Sequence, residues 1–383
     1  MGAFNVVTGV PALRGLFFRH TGKRVFLHEV LTGEDDPEKG DLVLAEHPAV
    51  LDITPDMLDD PERFDPALLD PLPDVVRLTG AGTFLAAGSK AKLARLCGET
   101  DTAEVPAVWQ RLAGMVAIVT GSAQGFGEGI ARELAKAGAS VVIADLNGEL
   151  AADVADSLNR TYGPFTAKAV TVDVGDEASV QAMIEATVRS FGGLDIYISN
   201  AGVLRAGSLE EMDLNAFTFV TKINYTAYFI GTKHAARAMR SQNMAAGRGW
   251  TDIIQINSKS GLEGSNKNFA YAGGKFGGIG LTQSFAKELV TDRIKVNAVC
   301  PGNYYEGPLW SDPEKGLFVQ YLKAGKVAGA KTVDDVYQDY VAKVPMKKGC
   351  SPLDVARAIF YIIEQEYETG QAVPVTGGQV MLH

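Results

Sequence analysis

The sequence VAIVTGSAQGFG, residues 116–127, places an apolar run directly before a glycine-rich turn. The run at 116–120 is almost continuously apolar, as expected for a parallel strand that is covered on both faces. Three glycines lie in the turn at 121–127, and the residues at 128–137 have the composition of a helix. These features together predict a strand, a tight turn and a helix, which is the repeating unit of a doubly wound α/β sheet.

The same turn is suited to hold a dinucleotide. Gly121, Gly125 and Gly127 let the backbone approach a ligand closely, and the N–H groups and dipole of a helix N-terminus favour a pyrophosphate. Asp145 follows the next predicted strand, 141–144, at the distance where a carboxylate binds the ribose hydroxyls of the cofactor. Because that carboxylate would repel a 2′-phosphate and no Arg or Lys adjoins it, the sequence predicts NAD rather than NADP.

Strands and helices continue to alternate to the end of the chain. Further strands are predicted at 169–172, 196–199, 252–256, 295–299 and 373–375, and helices at 178–191, 214–239 and 271–290. Such alternation favours right-handed βαβ units. We therefore predict a Rossmann-type doubly wound parallel sheet for residues 111–383.

Residues 1–110 have a different character and are predicted to form an α+β extension of unclear role. Candidate strands lie at 25–31, 42–44 and 74–78, a candidate helix at 89–96, and a linker at 100–110. The turn at 79–82 is predicted to join a strand to a helix, where it could hold a phosphate, although two glycines alone are weak evidence for that. His28 and His47 each adjoin a glutamate, but neither pair has a third ligand at metal-binding spacing, so no metal site is predicted.

Composition excludes several classes of protein. The formal net charge of −10 argues against a nucleic-acid partner. No apolar run approaches the roughly 18–20 residues of a membrane span. The three cysteines have neither metal-binding nor disulfide-framework spacing, which indicates a reducing compartment, and we expect a cytoplasmic protein.

A second informative stretch is QINSKSGLEGSNKNFAYAGGKFGG, residues 255–278. Tyr271 and Lys275 are four residues apart and so share one face of a predicted helix. A cation beside a phenol favours the phenolate and should lower the pKa of Tyr271, while Ser258 can hydrogen-bond a substrate oxygen. A Tyr-x-x-x-Lys spacing also arises by chance. The surrounding small residues indicate close approach by a flat ligand or another helix: Ala272, Gly273, Gly274, Gly277 and Gly278.

Together, TGSAQGFG (120–127), SNAG (199–202), Asn224, Ser258, the Tyr271–Lys275 pair and Pro301-Gly302 resemble the short-chain dehydrogenase/reductase family. The resemblance implies a catalytic tetrad of Asn224, Ser258, Tyr271 and Lys275, in which Asn224 positions a water. It also implies the residues that contact NAD: Gly121, Ser122, Gln124, Gly125, Phe126, Gly127, Asp145, Asp173, Val174, Asn200, Ala201, Gly202, Tyr271, Lys275, Pro301 and Gly302.

The sequence departs from the family pattern at three places. SNAG replaces the usual NNAG at 199–202. Ser258 and Ser260 both lie in the serine region, and Ser258 is chosen because Gly261 then aligns with the family glycine. The family threonine after Pro-Gly is absent from 303–309, which puts the side-chain contact to the cofactor carboxamide in doubt.

Other phrases resemble the sorbitol-6-phosphate 2-dehydrogenase subfamily: IIQINSKSG (253–261), KFGGIGLTQS (275–284), VPMKKGC (344–350) and TGQAVPVTGGQVM (369–381). This resemblance implies oxidation of sorbitol 6-phosphate to fructose 6-phosphate. Cationic side chains that could hold the phosphate are Arg205, Lys259 and Lys267, and the remaining candidate substrate contacts are Ser258, Tyr271 and Asn303. Each of these cations could equally be a solvated surface charge.

Two alternatives remain open, a dehydrogenase of another sugar derivative and a non-catalytic NAD(H)-binding sensor. The family resemblance implies a homodimer or homotetramer, and the glycine-dense helix after Tyr271 is suited to close pairing between subunits. Residues 74–97 faintly resemble the end of the aldolase half of fused aldolase/short-chain dehydrogenase proteins. Because the aldolase's pair of metal-binding histidines is not seen, a residual module without aldolase activity is expected.

Overall fold

The structure is a computed structural model that describes residues 5–30, 49–62, 64–97, 110–323, 325 and 327–381. The first part of the chain forms a small α+β unit. Its elements are α1 (Val6–Thr21), β1 (Phe26–Val30), β2 (Val50–Ile53), α2 (Pro55–Asp59), β3 (Val75–Leu78), β4 (Gly82–Ala87) and α3 (Lys90–Leu96). The four strands pair in the order β1-β4-β3-β2, and β2 and β3 are the parallel pair.

Part of the sequence prediction for this unit is wrong. The turn at 79–82 joins β3 to the antiparallel strand β4, which the sequence reading missed, so it does not lead into a helix N-terminus that could bind phosphate. Helix α1 and strand β2 were also missed. The candidate strand at 42–44, His47 and all but the last residue of the predicted linker at 100–110 lie outside the described residues.

The rest of the chain forms the predicted parallel sheet. Its strands are β5 (Val116–Thr120), β6 (Ser140–Asp145), β7 (Ala167–Thr171), β8 (Ile196–Ser199), β9 (Thr251–Ile256), β10 (Ile294–Pro301) and β11 (Ala372–Val375). Their order is β11-β10-β9-β8-β5-β6-β7, and each neighbouring pair is parallel. The strand order reverses direction at β5, which is where ligands bind in open α/β sheets. The predicted doubly wound fold is confirmed.

Helices cover both faces of this sheet. They are α4 (Gly125–Lys136), α5 (Gly148–Tyr162), α6 (Glu177–Phe191), α7 (Leu214–Thr221), α8 (Ala227–Ala246), α9 (Phe269–Leu289), α10 (Pro308–Ser311), α11 (Leu317–Lys323), α12 (Val333–Ala342) and α13 (Pro352–Glu364). Successive strand residues face opposite layers. Ala117 and Val119 pack in the core with α4, α5 and α13, whereas Val116 and Ile118 pack in the core with α6, α8 and α9.

The single helix predicted at 214–239 is in fact two helices. A π-helical segment, Lys222–Thr226, separates α7 from α8, and α8 continues to Ala246. Such π-segments often occur at functional sites. This one carries Asn224.

The N-terminal unit is packed against the large sheet's helices through α1. At Gly15, an added Cβ would lie 2.3 Å from the backbone oxygen of Gln242 on α8, so the two helices are in close contact. Arg14 on α1 is 1% exposed and its Nη2 lies 2.8 Å from the carboxylate of Asp195, at the start of β8. Among the described helices, none is both long enough and apolar enough to cross a membrane.

Candidate active site

The glycine turn has backbone angles and close packing that favour glycine. Gly121 and Gly125 have φ angles of 64° and 65°, which favour glycine. A Cβ at Gly127 would lie 2.1 Å from the backbone oxygen of Gly121, so only glycine lets α4 pack this closely on the turn. Helix α4 begins at Gly125, three residues before the predicted start. Gln124 precedes it without capping the first turn by its side chain, which leaves backbone N–H groups there for an anion.

Ser122 and Asp145 hold this turn against β6. The Ser122 hydroxyl is fully buried, donates to the backbone oxygen of Val119 at 2.6 Å and accepts from the backbone N–H of Ala144 at 3.0 Å. Those two hydrogen bonds engage the hydroxyl within the protein, and the predicted cofactor contact of Ser122 stays a prediction. The half-buried Asp145 carboxylate accepts from the backbone N–H of Ala123 at 3.0 Å, which keeps it beside the turn.

Asn200 joins the ends of β5 and β8. Its Nδ2 donates to the backbone oxygens of Thr120 at 2.8 Å and Gly121 at 3.0 Å. The backbone N–H of Ala201 donates to the Thr120 hydroxyl at 3.1 Å. Gly202 follows, and a Cβ there would lie 2.7 Å from Oδ1 of Asn224. The segment predicted to line the cofactor is thus held rigidly beside the glycine turn.

The remaining predicted cofactor residues lie at the same edge of the sheet. Asp173 and Val174 follow β7, where Oδ1 of Asp173 accepts from the backbone N–H of Gly175 at 2.8 Å. Pro301 ends β10, and the backbone N–H of Gly302 donates to Val375 at 2.9 Å. Because the sheet is parallel, the carboxyl ends of its strands bring these residues together. Phe126 of the turn packs on Tyr304, with ring centroids 5.1 Å apart.

Ser258, Tyr271 and Lys275 come together where β9 meets α9. The Ser258 hydroxyl lies beside the Tyr271 phenol, close enough to lower its pKa. Lys275 is 4% exposed, and its Nζ lies 5.5 Å from the centre of the Tyr271 ring. That ammonium donates to the backbone oxygen of Ile256 at 2.7 Å, which holds its side chain over the end of β9.

Burial is the largest influence on the pKa values of the Tyr271 phenol and the Lys275 ammonium. Burial raises the pKa of the Tyr271 phenol above its ordinary value, and the Ser258 side chain offsets only part of that rise. Burial also lowers the pKa of Lys275 to about 8. The sequence-based mechanism assigns the lowering of the Tyr271 pKa to Lys275 together with the positive nicotinamide of the cofactor, and this stays a prediction. A further positive charge in the site would favour the phenolate.

Asn224 adjoins this group, but its side chain is fully engaged. Its Nδ2 donates to the backbone oxygens of Val203 at 2.7 Å and Val220 at 3.0 Å, and its Oδ1 accepts from the N–H of Val203 at 3.3 Å. The side chain therefore ties the π-segment to the loop following Gly202.

The glycine-dense start of α9 is explained by protein side chains. A Cβ at Gly277 would lie 2.7 Å from the Tyr225 ring, and one at Gly278 would lie 2.5 Å from the Gln255 amide. Gly273 has nothing within 4 Å of the corresponding position. Close approach is therefore found at two glycines: the π-helical segment approaches Gly277 through Tyr225, and β9 approaches Gly278 through Gln255.

The candidate substrate residues lie on loops at the same edge. Arg205 is exposed, with its guanidinium carbon 6.0 Å from the centre of the Phe219 ring. Exposed Lys267 lies on an adjacent loop, because its backbone oxygen accepts from Gly207 at 2.9 Å. Half-buried Lys259 follows Ser258 directly. Asn303 is half-buried, and its Nδ2 donates to the Tyr305 hydroxyl at 3.2 Å.

Two residues of this region were missed by sequence reasoning. Asn257, 3% exposed, hydrogen-bonds both the Ser258 backbone and the Lys275 backbone. Cys300 is fully buried at the end of β10, close enough to Lys275 and Tyr271 to affect the pKa of each. The only sequence signal was the position of Asn257 directly before Ser258.

Elsewhere, Nδ1 of His28 lies 3.0 Å from the backbone oxygen of Ser190, and the described residues contain no group of three potential metal ligands.

Comparison with known proteins agrees with this geometry. Residues 115–310 match the family model described as short chain dehydrogenase. Sorbitol-6-phosphate 2-dehydrogenase of Escherichia coli K12 is 37% identical over 268 residues, which are 70% of this chain and 98% of that protein. The 3-oxoacyl-[acyl-carrier-protein] reductase FabG of Aquifex aeolicus is 31% identical over 270 residues, with coverages of 70% and 98%.

A solved structure is similar over the same share of the chain. The crystal structure of sorbitol-6-phosphate 2-dehydrogenase SrlD from Erwinia amylovora has a TM-score of 0.64 and 36% identity, and the match covers 70% of this chain and all of that one. The family match, these identities and the parallel sheet with its glycine turn lead to one assignment. The chain belongs to the short-chain dehydrogenase family.

Proposed function

We propose that this protein is an NAD-dependent oxidoreductase that interconverts a secondary alcohol and a ketone on a polyol or sugar phosphate. The observation that supports it most is the grouping of Ser258, Tyr271 and Lys275 at the edge of the sheet that carries the glycine turn. Sorbitol 6-phosphate, oxidised to fructose 6-phosphate, is the substrate that we propose first, because two similar proteins carry that name.

In the proposed reaction, Ser258 and Tyr271 hydrogen-bond the oxygen of the alcohol. A bound nicotinamide would accept a hydride from the alcohol carbon. Tyr271, as the phenolate, takes the hydroxyl proton while the C–O bond becomes a carbonyl. Lys275 contributes positive charge near the phenolate, and burial of the ammonium strengthens that interaction. Ketone reduction is the reverse, with Tyr271 as the acid.

We propose NAD as the cofactor. The turn supports a dinucleotide through the close packing at Gly127 and the uncapped first turn of α4. Asp145 supports NAD over NADP, because its carboxylate is held beside the turn and would repel a 2′-phosphate. The family name alone does not distinguish the two dinucleotides.

We propose that Arg205, Lys259 and Lys267 provide the positive charge for the substrate phosphate. Their support is position: Lys259 adjoins Ser258, and the loops of Arg205 and Lys267 are hydrogen-bonded to each other. A phosphate binds best to several cations with convergent hydrogen bonds. Replacing Lys267 by methionine should then raise KM for the phosphorylated polyol more than KM for NAD.

The test is a panel of polyols, polyol phosphates and sugar derivatives assayed for reduction of NAD and of NADP. We expect turnover with sorbitol 6-phosphate and little with sorbitol. Equal rates on both polyols would contradict the phosphate site, and preference for another sugar derivative would replace the substrate. Tight NAD binding without any turnover would instead favour the non-catalytic sensor.

We also propose a cytoplasmic homodimer or homotetramer. Support for a reducing compartment comes from Cys300 and Cys350, which form no disulfide, and support for an oligomer comes from exposed apolar side chains on α7, α8 and α9. They include Leu214, Phe217, Phe229 and Phe276. Residues 1–110 are proposed to be a residual module without aldolase activity, and residues 111–383 the dehydrogenase domain. Light scattering of the purified protein would measure the oligomeric state.

A further inference from the structure

The side chain of Asn257 bridges the segment that follows β9 and carries Ser258 and the helix that carries Tyr271 and Lys275. Asn257 is 3% exposed. Its Oδ1 accepts a hydrogen bond from the backbone N–H of Ser258 at 2.8 Å. Its Nδ2 donates to the backbone oxygen of Lys275, also at 2.8 Å. One amide group therefore connects the backbone at both ends of the candidate site.

The side-chain amide of Gln255 fixes the orientation of the Asn257 amide. Nδ2 of Asn257 also donates to Oε1 of Gln255 at 2.8 Å, and Gln255 is 1% exposed. Both N–H donors of the Asn257 amide are therefore in use. Reversing the amide would place its oxygen against two other oxygens and its NH₂ group against the N–H of Ser258. A buried network of this kind strongly favours one arrangement.

The backbone around Asn257 leaves just enough room for it. A Cβ at Gly261 would lie 2.0 Å from Oδ1 of Asn257 and 3.1 Å from the Lys275 backbone oxygen. A Cβ at Gly278 would meet the Gln255 amide at 2.5 Å. The turn after Ser258 and helix α9 thus both pack directly against the side-chain amides of Asn257 and Gln255.

We propose that Asn257 is a positioning residue that sets the distance between the Ser258 hydroxyl and the Tyr271 phenol. The inference rests on the proposed proton-transfer role of those two side chains. Asn257 itself does not contact the substrate, because it is buried and its polar atoms are bonded within the protein. It acts by holding the Ser258 backbone and the α9 backbone in one geometry, and misplacement of about 1 Å can cost about 10²-fold in rate.

The experiment compares Asn257→Ala with a matched control, Asn243→Ala. Asn243 is also 3% exposed, and its Nδ2 donates to Thr251, Asp292 and Arg293, at the opposite end of β9 from Ser258. We expect Asn257→Ala to lower kcat by about 10–100-fold, with KM for NAD within about twofold of wild type. Asn243→Ala should lose a similar amount of thermal stability and keep its kcat.

A pH profile distinguishes positioning from general destabilisation. The Ser258 side chain beside the phenol lowers the pKa of Tyr271, so loosening this contact should move the rise of the oxidation rate to higher pH in Asn257→Ala. The groups that face the phenol and could also shift the profile are Lys275 on α9 and Cys300 on β10. Both are unchanged in the variant and in the control.

The outcomes separate this inference from the proposed function. Wild-type enzyme without turnover on any substrate would contradict the function and this inference with it. An active wild type with Asn257→Ala at the same kcat and pH profile would overturn only the role of Asn257. An equal loss of kcat in Asn243→Ala would also overturn it. If Asn257→Ala does not fold, Asn257→Ser, which also loses the bond to Lys275, is judged by the same criteria.

Discussion

Replacing Arg14 by methionine tests how the N-terminal unit is joined to the dehydrogenase fold. The Arg14 side chain is 2% exposed and lies 2.8 Å from the Asp195 carboxylate, which is also 2% exposed. The guanidinium also donates to Gln242 and to the backbone oxygens of Val25 and Gly114, at 2.8, 3.0 and 2.6 Å respectively. Methionine fills a similar length but provides neither charge nor donors.

The expected loss in free energy of unfolding follows from the burial of the Arg14–Asp195 ion pair. Removing one partner of a buried ion pair leaves an uncompensated charge and typically costs about 3–5 kcal/mol. Arg24 lies 3.3 Å from the other oxygen of Asp195, so part of the compensation survives and we expect about 3 kcal/mol. Asp195 also accepts from the backbone N–H of Val116 on β5, so the loss should reach the central strands.

Urea unfolding, followed by circular dichroism, measures this cost. The matched control is Arg19→Met, on the same helix, because Arg19 pairs with Glu62 at a site where the glutamate is 77% exposed. Exposed pairs contribute about 0–1 kcal/mol, so the control should change little. If the free energy of unfolding fell no more in Arg14→Met than in Arg19→Met, the claim that the buried pair stabilises the contact between the N-terminal unit and the dehydrogenase fold would be refuted.

The pH dependence of this pair has a defined sign. Burial raises the pKa of the Asp195 carboxyl, but the nearby Arg14 and Arg24 outweigh that effect and hold the pKa below its ordinary value. A carboxyl with a lowered folded-state pKa contributes stability above its unfolded pKa, about 3.9, and that contribution disappears as the pH falls through the folded pKa. Arg14→Met should therefore lose most stability near neutral pH, and its difference from wild type should shrink in acid.

Further predictions concern the candidate site. Tyr271→Phe should lower kcat by about 10²–10⁴-fold while NAD binding, measured by fluorescence titration, stays near wild type; near-full turnover would contradict the proton-transfer role. Asp145→Ala should lower the ratio of kcat/KM with NAD to that with NADP, and an unchanged ratio would contradict the ribose assignment. Gly278→Ala should destabilise the protein, because its Cβ would meet Gln255 at 2.5 Å, whereas Gly273→Ala has open space and should stabilise α9 by up to about 1 kcal/mol in thermal unfolding. Because burial raises the pKa of Tyr271, alcohol oxidation should accelerate with rising pH, and a rate that fell from neutral to alkaline pH would contradict this base.

Local patterns were sufficient to predict the main architecture. The apolar run before the glycine turn, and the alternation of strands with helices after it, led to the parallel sheet that is observed. The spacing of Tyr271 and Lys275 placed them on one helix face. These features depend on residues a few positions apart, which is the range over which strand and helix periodicity operate. Asp145 and Asn200 were placed at the correct edge for the same reason, since each follows an apolar strand.

The N-terminal unit shows where local reasoning failed. Helix α1 contains a proline and two glycines, so its sequence is a poor helix pattern, and packing against α8 stabilises it. The turn at 79–82 resembled a strand-to-helix turn, but the pairing of β3 with β4 decided otherwise. Neither the packing of α8 on α1 nor the pairing of β4 with β3 can be recognised from the local sequence of these segments.

The candidate site likewise has some features that the sequence determined and others that only the tertiary structure decided. The sequence alone determined which residue types are available and that Tyr271 and Lys275 share a helix face. Only the tertiary structure decided that the Tyr271 pKa is raised, that Ser122 faces inward and that Asn257 joins β9 to α9. Burial and hydrogen bonds between distant segments set these properties, and both depend on how the whole chain packs around a residue rather than on its neighbours in sequence.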